Sequence, residues 1–263
     1  MACLVLLSLL WVGVTVSTVV DLQKRIIGGQ TCGQNERRYH VKLLAYPDGD
    51  FHCGGSLISE RWILTAAHCK YPDMYAVLGV HSGRKQVVQI KDPPVIFTDK
   101  DKNSNDRFHD LMLLKLPSST NIRPVGFPDC KKRPVIKNMV QVAGYGATSE
   151  NNKETSSTLQ CAEMEVVDCE ILRNILKTEE PEVYNRGLYE HWLCGQTQGV
   201  EICNGDSGGG VVYQNRIYGV ISTSGVHRRA CNDPAGFIDI CHEPYFQWIK
   251  TTIAPPKKCQ WCG

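Results

Sequence analysis

Ser207 sits in Cys203-Asn204-Gly205-Asp206-Ser207-Gly208-Gly209-Gly210. Glycines this close to a serine imply a tight turn, because glycine tolerates positive φ and lets another chain approach the backbone. A serine hydroxyl presented there is a candidate nucleophile, and it needs a base and a group to orient that base. The backbone N–H groups of Gly205 and Ser207 could serve a developing oxyanion. His68, in Thr65-Ala66-Ala67-His68-Cys69, ends a strand-like run between small residues and a cysteine. Asp110, in His109-Asp110-Leu111-Met112-Leu113-Leu114, places a carboxylate at the mouth of an apolar strand. A buried carboxylate is costly without hydrogen bonds. A histidine N–H would satisfy it and set the imidazole tautomer. Each signal alone has a plainer reading: a glycine-rich surface turn, a structural histidine, a turn aspartate.

Gly205-Asp206-Ser207-Gly208-Gly209 also fits G-x-S-x-G, the nucleophile elbow of α/β-hydrolases. That motif requires a helix after the serine and the chain order serine, acid, histidine. Here Val211-Val212-Tyr213 and Ile217-Tyr218-Gly219-Val220-Ile221 read as strands, and both His68 and Asp110 precede Ser207. The elbow is therefore disfavoured. Short strand-like runs fill much of Tyr39 to Leu116, namely Val41–Ala45, Ser56–Ile58, Trp62–Ala66, Ala76–Leu78, Val87–Ile90 and Leu111–Leu116. Their length and the Gly, Pro and Asp between them predict an all-β barrel or sandwich. Helices are expected over Asp168 to Leu176, with an aspartate cap, and over Glu243 to Ile253, entered at Pro244. Residues 99–107 and Thr148 to Ser157 read as polar loops.

The 263 residues suffice for one or two domains with a real core. Ala2 to Val16 is almost wholly apolar, too short to span a bilayer comfortably, and followed by small residues. It reads as a secretory signal peptide over residues 1–17, although it lacks a basic start. No later stretch suits a membrane span, so a soluble mature protein is expected. Of 13 cysteines, Cys3 lies in the leader, and the other 12 are an even number in an exported chain. That favours disulfides over a metal site. Cys259-Gln-Trp-Cys262 has no second C-x-x-C pair to complete a zinc site. The formal charge of +2, with only short basic groups such as Lys131-Lys132-Arg133, argues against nucleic acid or a membrane surface as partner. Lys24-Arg25 before Ile26-Ile27-Gly28-Gly29 suggests cleavage after Arg25, which would free the ammonium of Ile26.

Together these pieces resemble the trypsin/chymotrypsin family of serine proteases. The resemblance rests on Arg25-Ile26-Ile27-Gly28-Gly29, Cys53-Gly54-Gly55-Ser56-Leu57-Ile58, Leu64-Thr65-Ala66-Ala67-His68-Cys69, Asp110 to Leu114 and Gly205 to Gly209. They occur in the family's order, histidine, aspartate, serine, and span Arg25 to Ile253. The resemblance implies an all-β fold of two packed six-stranded antiparallel Greek-key barrels with a short C-terminal helix. It implies a signal peptide (1–17), an activation propeptide (18–25) and a protease domain (26–263). The barrels would cover roughly 26–132 and 133–242, with helix and tail over 243–263. It gives His68 the role of general base and acid, Asp110 that of orienting His68, and Ser207 that of nucleophile. Gly205 and Ser207 would form the oxyanion hole, and Ser222 would support Asp110. Asp206 would pair with the ammonium of Ile26 after cleavage, a switch that orders the site. Matched disulfides are Cys32–Cys161, Cys53–Cys69, Cys130–Cys241, Cys169–Cys194 and Cys203–Cys231. Cys259 and Cys262 have no counterpart; they either bond each other or bridge to another chain.

Substrate choice departs from the family pattern. Glu201, six residues before Ser207, falls at the base of the specificity pocket, where trypsin-like members carry aspartate. An acid there implies cutting after Arg or Lys, although glutamate is one methylene longer. Ser224 and Ala235 replace wall glycines, and Thr223 replaces a large aromatic on the strand that pairs with substrate. No metal or cofactor is expected. The implied protein is a secreted zymogen whose partners are a polypeptide substrate, an activating protease and protein inhibitors. The competing class is an inactive homologue that binds a partner through the old cleft. Retention of all three triad residues, Asp206 and the activation site favours the enzyme.

Overall fold

The computed structural model describes residues 26, 28–49, 51–81, 83–149, 152–202, 205–224 and 233–255. The leader, the propeptide with Arg25, the Cys203–Cys231 pair, Cys259 and Cys262 lie outside them. Among these described residues sixteen strands and three α-helices follow in order. The first eight strands are β1 (Gln30–Thr31), β2 (His40–Leu44), β3 (Phe51–Leu57), β4 (Trp62–Thr65), β5 (Tyr75–Leu78), β6 (Gln86–Gln89), β7 (Val95–Lys100) and β8 (Asp106–Lys115). Then come β9 (Met139–Gly144), β10 (Ala147–Ser149), β11 (Asn152–Thr155), β12 (Gln160–Val167), α1 (Cys169–Glu179) and α2 (Pro181–Gly187). The chain ends with β13 (Trp192–Gln196), β14 (Gly210–Tyr213), β15 (Arg216–Thr223), β16 (Ala235–Asp239) and α3 (Glu243–Ile253).

The strands divide into two large antiparallel sheets. The C-terminal sheet runs β12-β13-β16-β15-β14-β9, and β9 pairs back onto β12, closing a six-stranded barrel. The N-terminal sheet runs β6-β5-β2-β3-β4-β8-β7. Among the described residues no strand pairing joins its two ends. β1 belongs to the C-terminal sheet: it pairs with β12, with Gln30 opposite Cys161. The Cys32–Cys161 bridge fastens that crossing.

β8 explains much of the packing. Leu111, Met112, Leu113 and Leu114 are all fully buried, so both faces of this strand are covered. Each such side chain contributes about 1.5–3 kcal/mol by leaving water. One core cluster joins these residues to Val212, Ile217, Val220 and Ile238 of the C-terminal barrel and to Tyr245 and Ile249 of α3. The two halves therefore share a core at their seam, and the N-terminal end of the β8 run opens onto that seam.

Helix α1 starts where the Asp168 carboxylate accepts the Glu170 N–H at 3.0 Å, as an N-cap should. It extends to Glu179, three residues past the reading from sequence, and buries Leu172 and Leu176. Helix α2, with Pro181 in its first turn, was not legible beforehand. The polar stretch at 99–107 is a loop only over 101–105; its flanks are the ends of β7 and β8, where Asp99 pairs with Arg107 and Lys100 with Asp106 in register. Opposite charges thus face each other across the hairpin. Its tip is held by Asp101, whose carboxylate accepts the N–H groups of Asn103 and Asn105, each at 2.8 Å.

Candidate active site

His68 lies in a single 3₁₀ turn, Ala67–Cys69, directly after β4. The Cys53–Cys69 disulfide ties this turn to β3 across a loop of 16 residues. Closing a loop of that size contributes about 3 kcal/mol by restricting the unfolded chain. Asp110 is on β8, which pairs with β4 so that Thr65 faces Met112. This register carries the histidine turn to the aspartate. His68 Nδ1 lies 2.9 Å from Asp110 Oδ2 and 3.1 Å from Oδ1, and the His68 backbone N–H donates to Oδ1 at 2.8 Å. Ser222, at the end of β15, donates its hydroxyl to Asp110 Oδ2 at 2.5 Å. A carboxylate can only accept, so Nδ1 carries the proton and Nε2 holds the lone pair. The His68 side chain is 42% exposed, which leaves that nitrogen open to the cleft. Burial lowers its pKa, but the hydrogen bond and charge of Asp110 outweigh this, so the imidazolium is favoured beyond its ordinary range; Arg186 opposes weakly.

Ser207 lies in the turn before β14 and is half-buried. Two backbone contacts dock that turn on the His68 region. The Ser207 carbonyl accepts the Gly54 N–H from β3 at 2.7 Å. Gly208 has φ +80°, and a Cβ there would stand 2.2 Å from Thr65 Oγ1 and 2.4 Å from the Gly54 carbonyl. Only glycine tolerates both that conformation and that crowding. The serine turn is therefore pressed directly against the strand end that leads into His68.

Asp206 is fully buried, and its Oδ1 accepts the Gly146 N–H at 2.8 Å. A Cβ on Gly144 or Gly146 would meet its carboxylate at 1.9 or 2.5 Å, so this pocket is shaped around the acid. Ile26 is also fully buried, in a cluster with Val140, Val142, Ile202 and Ile221. Glu201, Ser222, Thr223 and Ser224 are half-buried, while Ala235 is buried and faces Gly195 in the β13–β16 pairing. Four of the five matched disulfides fall among the described residues and all four form: Cys32–Cys161, Cys53–Cys69, Cys130–Cys241 and Cys169–Cys194. Among the described residues one group brings three residues of metal-binding type within reach of each other, Cys53, His68 and Cys69. Both cysteines are in a disulfide and have no thiolate to offer.

Glu190 was absent from the sequence reading. It comes 80 residues after Asp110, and its Oε1 accepts the Asp110 backbone N–H at 2.8 Å. Nothing in its local sequence, Leu188-Tyr189-Glu190-His191, marks it. The fold brings it there through the segment leading into β13.

A family model described as Trypsin matches residues 26–249. A snake venom serine protease of Crotalus durissus durissus is 32% identical over 240 residues, covering 87% of this chain and 87% of the relative. Human kallikrein-14 is 31% identical, covering 88% of this chain and 85% of its own length. Among solved structures, mouse neuropsin, a serine protease, superposes with a TM-score of 0.68 at 25% identity, over 86% of this chain and 99% of that one. With the closed barrel, the second sheet and the His68–Asp110 geometry, these matches make the chain a serine endopeptidase of the trypsin family.

Proposed function

We propose that the chain is the zymogen of a secreted endopeptidase, that His68, Asp110 and Ser207 are its catalytic triad, and that it cuts after Arg or Lys. The observation that carries the triad is the His68–Asp110–Ser222 arrangement, with the Ser207 turn docked beside it. Ser207 Oγ attacks the scissile carbonyl carbon while its proton passes to His68 Nε2. The oxyanion is received by the N–H groups of Gly205 and Ser207. His68 then gives its proton to the leaving amine, and an acyl ester remains on Ser207. Water, deprotonated by the same nitrogen, hydrolyses that ester and restores the hydroxyl. Asp110 holds the Nδ1 proton in place throughout and stabilises the imidazolium.

Cleavage after Arg25 frees the Ile26 ammonium to pair with Asp206, and the fully buried state of both residues supports this switch. Pairing raises the ammonium pKa above about 8. The active form is then complete at lower pH and is lost as pH rises through the raised value, reversibly. An enzyme acetylated at Ile26 after cleavage and still fully active would contradict this. Glu201 at the base of the pocket supports a basic residue at the cut. Ser224 and Ala235 narrow that pocket, and Thr223 removes a shelf for the upstream substrate residues. Secretion is supported by the apolar leader; among the described residues no helix is long and apolar enough to cross a membrane.

The test is to cleave after Arg25 and add a fluorophosphonate. Labelling at Ser207 that disappears in His68→Ala is expected. A folded, cleaved protein that takes no label would overturn the triad. A peptide library then reads the pocket: cleavage spread away from Lys and Arg would reject the role given to Glu201.

A further inference from the structure

Behind Asp110, on the side away from His68, lies a second and buried set of titratable groups. Glu190 is 7% exposed and uses both carboxylate oxygens: Oε1 accepts the Asp110 N–H at 2.8 Å and Oε2 accepts the Tyr245 hydroxyl at 3.0 Å. That hydroxyl has one proton and gives it to Glu190, so it accepts from His109 Nδ1, 2.6 Å away. Nδ1 therefore carries a proton. Nε2 of the same ring makes no well-aligned hydrogen bond but lies 3.1 Å from Asp99 Oδ1. Asp99 is also bonded to Arg107, and that hydrogen bond, with the nearby His109 ring, brings its pKa down to about 2. A bare lone pair on Nε2 would face an ionised carboxylate, so this nitrogen carries a proton too. The His109 side chain is 2% exposed.

We propose that Glu190 is a positioning residue for catalysis: it pins the backbone of Asp110, and a buried imidazolium on His109 lies 3.4 Å from its carboxylate. The inference rests on the triad reading above. The chemistry is economical, because the residue beside Asp110 in the chain supplies the charge that faces Glu190. Burial works against a charged His109, but the carboxylates of Glu190, 3.4 Å from Nδ1, and Asp99, 3.1 Å from Nε2, outweigh it and raise its pKa. The other groups facing this ring are consistent. Phe97, Tyr189 and Tyr245 meet it edge-on and carry no charge. His191 and His242 stack with centroids 3.4 Å apart, and both are held towards neutrality, by burial first and then by neighbouring positive charge. Arg173 spends its guanidinium on the backbone carbonyls of Gly187 and Glu190, which fixes the Glu190 segment from α1.

The experiment uses the full chain cleaved after Arg25, with the parent first shown to take the fluorophosphonate at Ser207. In the parent, ¹⁵N ring shifts should show two protons on His109 at neutral pH, where His68 is titrating. Glu190→Ala, which removes the acceptor, should lower kcat by up to about 100-fold with KM little changed, since a small displacement of a catalytic group costs that much. Glu190→Gln keeps an oxygen for the Asp110 N–H, so it should recover most of kcat while moving the His109 titration to lower pH. A neutral His109 in the parent at pH 7 overturns the imidazolium, whether or not any variant folds. Unchanged kcat in folded Glu190→Ala overturns the positioning role. A folded parent that takes no label defeats the triad reading instead, and so separates the two failures.

Discussion

Asp110 stands between two histidines in opposite surroundings. On the cleft side, His68 is 42% exposed and meets one carboxylate, so its second nitrogen is open for proton transfer. On the core side, His109 is 2% exposed and lies between Asp99 and the Glu190–Tyr245 pair, so neither nitrogen is free. On the proposed reading, the same side chain serves as a base in one place and as a fixed charge in the other. What separates the roles is the number of acceptors around the ring and its access to water. A histidine with one partner can change protonation during a reaction; one closed in by acceptors on both sides holds its protons.

Asp110→Asn tests this contrast most severely. It removes the acceptor that sets the His68 tautomer, and kcat should fall about 10⁴-fold, the scale known for this triad. A loss no larger than that of Glu190→Ala would erase the difference between the two sides. On the core side the large effect should fall on stability. His109→Ala leaves the buried Glu190 without its cation, while Asp99 keeps Arg107, and should cost about 3–5 kcal/mol, read from urea unfolding. A cost within 1 kcal/mol would mean that the buried groups are not ionised.

Ser222→Ala removes one of the donors to Asp110. A hydrogen bond to a charged group contributes about 1.5–3 kcal/mol, so a loss of kcat of about tenfold or somewhat more is expected. Titration sharpens the contrast further. His68 must be neutral to act as base, and its pKa is raised, so kcat/KM should rise with pH through a value above the ordinary 6.5. His109 is also raised, and its stabilising charge is fully present below 6.5 and is lost as pH rises through the folded value. Urea midpoints should therefore fall on the alkaline side in the parent and fall less in His109→Gln. The smallest effect belongs to a pair outside both environments. Lys100 and Asp106 are 63% and 57% exposed, so Lys100→Ala should change stability by less than about 1 kcal/mol, and less still in high salt.

Much of this was legible from residue order. Glycines around Ser207, small residues around His68 and an apolar run after Asp110 are local signals, because each reflects what its immediate backbone must do. The run Leu111 to Leu114 announces a strand buried on both faces whether or not its neighbours are known. Helix α3 was readable end to end for the same reason: Pro244 in its first turn and apolar residues on one face. The loop read at 99–107 is shorter than the sequence suggests, 101–105, because the polar residues at its flanks satisfy one another across strands, a pairing that no single strand displays.

Glu190 was beyond such reading. Its carboxylate matters because β8, α3 and the segment before β13 converge, and each is distant from the others in the chain. The same holds for the state of His109: its charge follows from Asp99, Tyr245 and Glu190 arriving around one ring. Residue types and spacing settle which chemistry a chain can attempt, since they set backbone conformation and donor inventory locally. Protonation and burial are properties of assembled surroundings, and they exist only once distant segments have excluded water together.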